Sequence, residues 1–347
     1  MSALLIGNFL SAGNGSRGVC EDLAEQLRCA GWRVFTASSK ENRILRLSDM
    51  LLTAWRNRGE YGVAQVDVYS GPAFFWAEAV CLLLRMLGKP RILTLHGGNL
   101  PAFASRRPRR VRALLHSSAA VTTPSRFLLE AMSEYHPALI LQPNPIDVSR
   151  YQFRIRQKPK PELIWLRAFH EIYNPSLAPR VVALLAEEFP NVRLTMIGPD
   201  KGDGSFPAVI KHAAELGVAH RISFSGKVPK PDIPDWLAKA DIFINTTNVD
   251  NTPVSVLEAM AAGTCIVSTN VGGIPYLLRN EKEALLVPPN NEIAMAAAIK
   301  RYLCEEGLAE RLSKNARRVA EEFDWATVLL NWKKLLTGVN NRQAGIA

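Results

Sequence analysis

The feature that most constrains this chain is its rhythm: short apolar runs alternate with amphipathic helical stretches, stop once, and then begin again. In the first stretch, residues 3–9, 32–37, 66–69, 91–95, 119–122 and 139–141 read as strands. Between them, residues 18–28, 44–57, 74–87, a loop and helix ending at 115, and residues 125–133 read as helices. Pro143, Pro145, Pro159 and Pro161 then interrupt the pattern within a basic, polar stretch that reads as a linker. Beyond it, strands are predicted at 163–167, 193–198, 222–225, 242–245 and 265–269. Helices are predicted at 176–189, 206–216, 233–240, 254–262, 293–304 and 308–321. Strand–helix alternation builds a parallel sheet covered by helices on both faces. The expectation is an α/β chain of two tandem Rossmann-like, doubly wound domains facing each other across a cleft. The first covers residues 1–155 and the second 156–325. Residues 326–347 form a helix that packs back on the first domain, then a short tail.

A chain of 347 residues, 48% hydrophobic and 21% charged, can fill two cores. Cys20, Cys29, Cys81, Cys265 and Cys304 are scattered, with no Cys-x-x-Cys pair and no His at ligand spacing. That argues against a disulfide scaffold or a metal site, and for reduced thiols in the cytoplasm. The first nine residues lack a basic start and a cleavage site, so they read as a strand and not a signal peptide. Residues 71–87 are the most apolar, but they carry Glu78 and Arg85 and fall short of a spanning helix. Most of the net charge of +10 lies in the first half, where Arg106, Arg107, Arg109, Arg110 and Arg112 cluster. Such a patch suits phosphates, an anionic membrane or an acidic acceptor; it equally suits a solvated helix start. No aromatic-rich surface accompanies it, which argues against nucleic acid.

Residues 250–263 carry the most chemistry. Thr252 suits an N-cap, Pro253 the first helical position and Gly263 the stop, so Asp250 lies in the loop before a helix and Glu258 in its second turn. The amides of residues 252 to 255 would point into the same space as the two carboxylates. Free helix amides suit anions, and carboxylates suit paired hydroxyls. The competing reading is a capped helix with one acid on its face.

Asp250, seven residues, Glu258, then Ala259-Met260-Ala261-Ala262-Gly263 and a buried strand resemble the acid-x7-Glu signature of family 4 glycosyltransferases. Residues 268–275 and 284–289 stand where that family has its next turn and strand. Pro143-Asn144-Pro145-Ile146-Asp147 resembles its domain junction. The resemblance implies the GT-B fold and retaining transfer of sugar from a nucleoside diphosphate sugar, without metal or other cofactor. The acceptor it implies is a saccharide or a lipid-linked saccharide, in cell-surface polysaccharide or glycolipid synthesis. It places Glu258 on the ribose hydroxyls, Asp250 on the donor sugar, and Asn251, Thr252, Pro253 and Val254 around the donor. Asp is one methylene shorter than the family's Glu, about 1.5 Å of reach.

Arg167, at the end of the first strand after the linker, stands where the resemblance places an Arg on the donor diphosphate. The Lys that usually follows is absent before Lys201; Tyr173 and Asn174 occupy the neighbourhood, and His170 could substitute. Gly13 and Gly15 belong to a glycine loop after the first strand that would bring amides to the diphosphate. His96, between a strand and Gly97-Gly98, is expected to hydrogen-bond the transferred sugar. Ser125 and Arg126 could reach the acceptor. Read alone, Gly13, Gly15 and Gly18 also match a dinucleotide fingerprint, so an NAD-dependent oxidoreductase is a rival. It wants an acid ending the second strand, where Ser38, Ser39 and Lys40 precede Glu41. The other rival is a non-catalytic homologue that binds sugar nucleotide or a partner enzyme. The expected location is cytoplasmic, with peripheral contact to the inner face of an anionic cell membrane. There the arginine patch and the apolar faces near residues 45–55 and 74–87 would seat the first domain beside a lipid-linked acceptor.

Overall fold

The structure is a computed structural model describing residues 1–10, 18–97 and 99–344; Gly13 and Gly15 lie outside the described residues. It comprises two compact units, residues 1–145 with 325–347, and residues 146–324.

The first unit alternates β1 (Ser2–Ile6), α1 (Val19–Cys29), β2 (Arg33–Ala37), α2 (Arg43–Arg56), β3 (Val63–Val68), α3 (Ala73–Met86) and β4 (Arg91–Leu95). Then come α4 (Leu100–Arg106), α5 (Pro108–His116), β5 (Ala120–Thr123), α6 (Arg126–Met132) and β6 (Leu139–Leu141). Its sheet is wholly parallel, in the order β2-β1-β3-β4-β5-β6. The second unit runs β7 (Glu162–Leu166), α7 (Leu177–Ala186), β8 (Arg193–Ile197), α8 (Ser205–Glu215), β9 (Ile222–Gly226), α9 (Ile233–Lys239) and β10 (Ile242–Asn245). It continues with α10 (Val254–Ala262), β11 (Cys265–Thr269), α11 (Ile274–Leu277), β12 (Leu285–Val287), α12 (Glu292–Cys304) and α13 (Leu308–Glu321). Its sheet is also parallel, ordered β12-β11-β10-β7-β8-β9. The last helix, α14 (Trp325–Ala344), returns to the first unit.

Strand order reverses between β1 and β3 in the first sheet and between β7 and β10 in the second. In open α/β sheets the crevice at such a reversal, beyond the carboxyl ends of the strands, is where ligands bind. Side-chain alternation explains how each sheet is covered on both faces. Leu4, Val66, Leu93 and Val121 point to one face of the first sheet, where α2 and α3 pack. Ala3, Leu5, Val63 and Ile92 point to the other, against Leu23 and Leu27 of α1 and Val328, Trp332 and Leu336 of α14.

The division falls between Pro145 and Ile146, earlier than the boundary expected at residue 155. The cause is burial: Ile146, Val148 and Tyr151 sit in the second unit's core. The Ile146 amide donates to the Phe323 carbonyl at 2.9 Å, and the Val148 amide to Asp324 Oδ2 at 3.1 Å. The basic stretch that reads as a linker is held down as well. Arg156 is buried and donates to the carbonyls of Leu237, Ala240 and Ala262, with Asp241 3.4 Å away. Its buried guanidinium is shifted down to about 10, chiefly by desolvation and then by Arg154, with Asp241 opposing.

One detail of α10 departs from expectation. Pro253, not Thr252, is the cap residue, with extended backbone (ψ 122°), and the helix begins at Val254. Proline has no N–H to lose there, and its carbonyl accepts from the Val256 and Leu257 amides at 3.1 and 3.3 Å. Gly263 closes the helix in the left-handed region (φ 72°), as the sequence predicts.

Candidate functional site

At the reversal point of the second sheet, the residue following β7 is Arg167, and the loop following β10 contains Asp250. The structure brings the two together: Arg167 Nη2 pairs with Asp250 Oδ2, and the guanidinium stacks over the Tyr173 ring, 4.5 Å from its centroid. The side chains are 14% and 12% exposed, so the pair is reachable but largely desolvated. Burial lowers the Arg167 pKa to about 10, with Tyr173 and then Glu258 pulling the other way. The guanidinium remains charged at neutral pH. Its Nε is buried with no hydrogen-bond partner among the described residues.

Two close approaches fix this geometry. A Cβ on Gly198 would stand 1.6 Å from the Arg167 carbonyl oxygen, so only glycine lets the chain leaving β8 pass that close to the residue following β7. A Cβ on Gly273 would stand 1.8 Å from the Asn251 carbonyl oxygen, and the Gly273 amide donates to the Asp250 carbonyl at 2.9 Å. The Asn251 amide donates to Asp250 Oδ1 at 2.9 Å, which orients the carboxylate.

Glu258 sits one helical turn inside α10 and is 5% exposed. The Tyr151 hydroxyl donates to its Oε1 at 2.9 Å. Burial holds the Glu258 carboxyl above the usual carboxylate range; Tyr151, Lys230, Arg150 and Arg167 oppose the shift. Ser255, in the first turn, has a buried hydroxyl without a hydrogen-bond partner among the described residues, and so has the Asn248 side-chain oxygen. Orphaned buried polar atoms cost about 1–3 kcal/mol each, so a cluster of them is characteristic of a surface made for a polar ligand. Thr252, Pro253 and Val254 form the entry of the same helix, where the Val254 and Ser255 amides precede the first ones taken up by the Pro253 carbonyl. Arg167, Asp250, Asn251, Thr252, Pro253, Val254 and Glu258 therefore share one site. His170 is engaged elsewhere. Its Nδ1 accepts from the Ile172 amide at 3.2 Å, capping a short turn, with Asp203 3.8 Å away.

His96, Ser125 and Arg126 belong to the first unit. His96 follows β4; its Nε2 lies 2.9 Å from Asp67 Oδ1, and its ring stacks on Tyr69 at 5.0 Å. Gln65 Nε2 donates to the same Asp67 oxygen at 2.7 Å and to Thr94 Oγ1 at 2.8 Å, and Thr122 Oγ1 donates to Thr94 Oγ1 at 3.0 Å. The face that is apolar at Val63, Ile92 and Ala120 thus turns polar toward the carboxyl ends of the strands. Sequence reasoning misses Asp67; its signal is the pair Gln65 and Asp67, two polar residues at strand period inside a run that is otherwise apolar. Ser125 caps α6, its Oγ accepting from the Leu128 amide at 3.1 Å, and Arg126 is exposed beside it. Tyr151 and Tyr173 also escape sequence reasoning as partners of Glu258 and Arg167. An aromatic near an acid or Arg only in space leaves no local pattern.

Comparison with known proteins bears on the family and the fold. Residues 149–319 match the family model described as glycosyl transferases group 1. A D-inositol 3-phosphate glycosyltransferase of Streptomyces bingchenggensis is 29% identical over 157 residues, 44% of this chain and 34% of that protein. One from Thermomonospora curvata is 26% identical over 194 residues, 53% of this chain and 45% of its own length. The match thus spans less than half of these curated relatives. Among solved structures, sucrose-phosphate synthase from Thermosynechococcus elongatus superposes with a TM-score of 0.78 at 18% identity, covering 97% of this chain and 98% of that one. Anabaena HepE, solved with UDP and glucose, gives 0.75 at 17% identity, covering 97% and 100%. At such identities the likeness is one of fold, and that fold is the two-domain α/β GT-B architecture.

Proposed function

We propose that this chain, which carries a domain of the group 1 glycosyl transferases at residues 149–319, moves a sugar from a nucleoside diphosphate sugar to a saccharide or lipid-linked acceptor. The reading extends to retained anomeric configuration, independence of metal and other cofactors, a cytoplasmic location, and a place in cell-surface polysaccharide or glycolipid synthesis. The observation that carries it is the meeting of Arg167, Asp250, a buried Glu258 and the start of α10 at one strand-order reversal.

In this reading each group has a distinct job. Glu258, already fixed by Tyr151, accepts from the ribose hydroxyls. The diphosphate takes the place of the Asp250 carboxylate on the Arg167 fork, where two parallel charge-assisted bonds hold it. Asp250, released, turns to a hydroxyl of the donor sugar. Negative charge grows on the leaving diphosphate in the transition state, and Arg167 with the α10 amides stabilises it where it forms. No Lys follows Arg167 before Lys201, where the resembling family has its second cation; Lys230 and Arg150, which act on the Glu258 carboxyl, are the other cations near the site. In the first unit, His96 is assigned to hydrogen bonding with the transferred sugar, and Ser125 and Arg126 to the acceptor.

The test is a thermal-shift screen of UDP- and GDP-sugars against NAD(H), followed by donor turnover. Sugar nucleotides should raise Tm and NAD(H) should not, and Arg167→Ala should lower turnover by about 10²–10³-fold. Stabilisation by NAD(H) alone would sink the reading in favour of an oxidoreductase, and normal turnover in Arg167→Ala would sink the leaving-group role. A non-catalytic binder draws support from the Arg167–Asp250 pairing, which must open for the donor to seat. Slow donor hydrolysis without acceptor would speak against it.

A further inference from the structure

On the first unit, α2 and α3 pack side by side and turn apolar residues outward. Leu45, Leu52 and Trp55 form a stripe along α2, and Phe75, Leu82 and Met86, at helical spacing, form one along α3. Leu82 and Met86 are 61% and 76% exposed, and the groove between the helices holds about 460 Å³. Monomeric proteins rarely leave so contiguous an apolar face in water; such a patch marks a binding surface.

The rim of this face is cationic. Arg56 follows Leu52 by four residues and Arg85 follows Leu82 by three, so each flanks its stripe, and both are exposed. Arg58 lies over the Trp55 ring, 4.7 Å from its centroid, and donates to the Trp55 carbonyl at 3.0 Å. The acids on the two helices are Asp49, half-buried, and Glu78, which Arg110 of α5 engages. That bridge also sets the basic helix α5, with Arg109 and Arg112 exposed, beside α3. Among the described residues, no helix is long and apolar enough to cross a membrane.

We infer that the α2–α3 face is a docking surface for an anionic lipid bilayer, its leucines, Phe75 and Trp55 entering the acyl boundary and Arg56, Arg58 and Arg85 meeting the headgroups. Two facts favour a bilayer over a second copy of the chain. A symmetric pairing would press the same arginines of two copies against each other, with only half-buried Asp49 and the already engaged Glu78 on these helices to answer them. Leu, Phe and Trp bordered by Arg, on helices that do not span, is the chemistry of interfacial binding. The inference does not rest on the donor chemistry, but a lipid-linked acceptor would be presented at such a surface.

The experiment is co-sedimentation of the full chain with vesicles of phosphatidylcholine, with and without about one-third phosphatidylglycerol. Binding should be much stronger with the anionic lipid. Brominated lipid should quench fluorescence, and Trp55→Phe should reduce that quenching. Leu52→Glu with Leu82→Glu should weaken vesicle binding at least about ten-fold, at unchanged Tm because both positions are exposed. Arg56→Glu with Arg85→Glu should weaken it roughly five-fold per arginine and erase the preference for anionic lipid. The inference is overturned by absence of binding to either vesicle, or by binding that survives both double variants. A chain-concentration-dependent dimer that the leucine double variant splits would overturn it too.

Discussion

The two units solve the same architectural problem with six parallel strands each, yet they order them differently and finish them differently. In the first, the order reverses between β1 and β3; in the second, between β7 and β10. The second reversal point is finished with a largely desolvated cation–carboxylate pair, a buried acid and orphaned hydroxyl and amide atoms, clamped by backbone pressed against backbone. In the first unit, a polar network anchors a single histidine at the strand ends, while large apolar residues are left on the outside. On the proposed function, one unit fixes a charged ligand in one geometry and the other presents surfaces. The difference should show in how each responds to small changes.

The largest effect is expected from glycine. Gly198→Ala would drive a Cβ into the Arg167 carbonyl, and Gly273→Ala into that of Asn251, with backbone on both sides and nothing flexible to yield. Either should cost more than about 3 kcal/mol by chemical denaturation and abolish sugar-nucleotide binding. Gly31 and Gly71 of the first unit have open space around them and only positive φ (81° and 71°), so alanine there should cost about 1–2 kcal/mol. Equal losses in both pairs would remove the claim that the second site is the sterically fixed one.

Next comes the division of labour in binding. Arg167→Ala should weaken affinity for a UDP- or GDP-sugar by about ten- to a hundred-fold in calorimetry, because a charge-assisted contact to phosphate is worth about 1.5–3 kcal/mol. His96→Ala should leave that affinity within about three-fold and lower turnover instead, a role confined to hydrogen bonding with the sugar as it transfers. A loss of donor affinity in His96→Ala matching that of Arg167→Ala would merge two sites whose chemistry otherwise differs.

A smaller effect tests the electrostatics of the second unit. Burial raises the Glu258 pKa, so the folded state holds that proton more tightly than the unfolded chain does. The associated stability is present below the unfolded carboxyl's pKa and is lost as pH rises through the folded value. Glu258→Gln lacks that dependence and can still accept from Tyr151. Its Tm should exceed the parent's at pH 8 by about 2–4 °C, and the gap should close on acidification. Donor affinity should fall at every pH. A parent no less stable than the variant at pH 8 would mean that burial of this acid is already compensated.

How much of this is legible in the sequence follows from what sequence can encode. The strands at residues 91–95, 242–245 and 265–269 are fully buried apolar runs, and their limits are readable to the residue. Helix α10 is readable because Pro253 and Gly263 mark its ends, although Thr252 draws the cap one residue too early. What escapes is spatial. Arg154 and Arg156 read as a solvated linker because nothing local shows that Asp241 and three carbonyls wait for them. An apolar face within residues 74–87 is expected from the sequence, but which residues form its outward stripe is not, because α3 is apolar on nearly all sides and periodicity cannot tell the core face from the solvent face.

The least effect is expected from Asp67→Asn, and its smallness is informative. Oδ1 of this residue meets both Gln65 Nε2 and His96 Nε2, while Oδ2 is buried without a hydrogen-bond partner among the described residues. In Asp67→Asn the side-chain carbonyl can keep the Oδ1 position and both of these bonds, with the amide nitrogen taking the place of Oδ2. Only the negative charge is lost, and turnover with a fixed sugar nucleotide should change by less than about three-fold. Asp67→Ala removes both bonds, frees the imidazole to rotate and leaves Gln65 half-satisfied, so it should cost about 1–3 kcal/mol of stability and a larger share of turnover. The order Ala far below Asn, with Asn near the parent, would mean that the first unit uses Asp67 to position His96. Equal, severe losses in both would mean that the carboxylate's charge itself acts on the histidine. The first unit would then be an electrostatic site like the second, and the contrast between them would fail at its own centre.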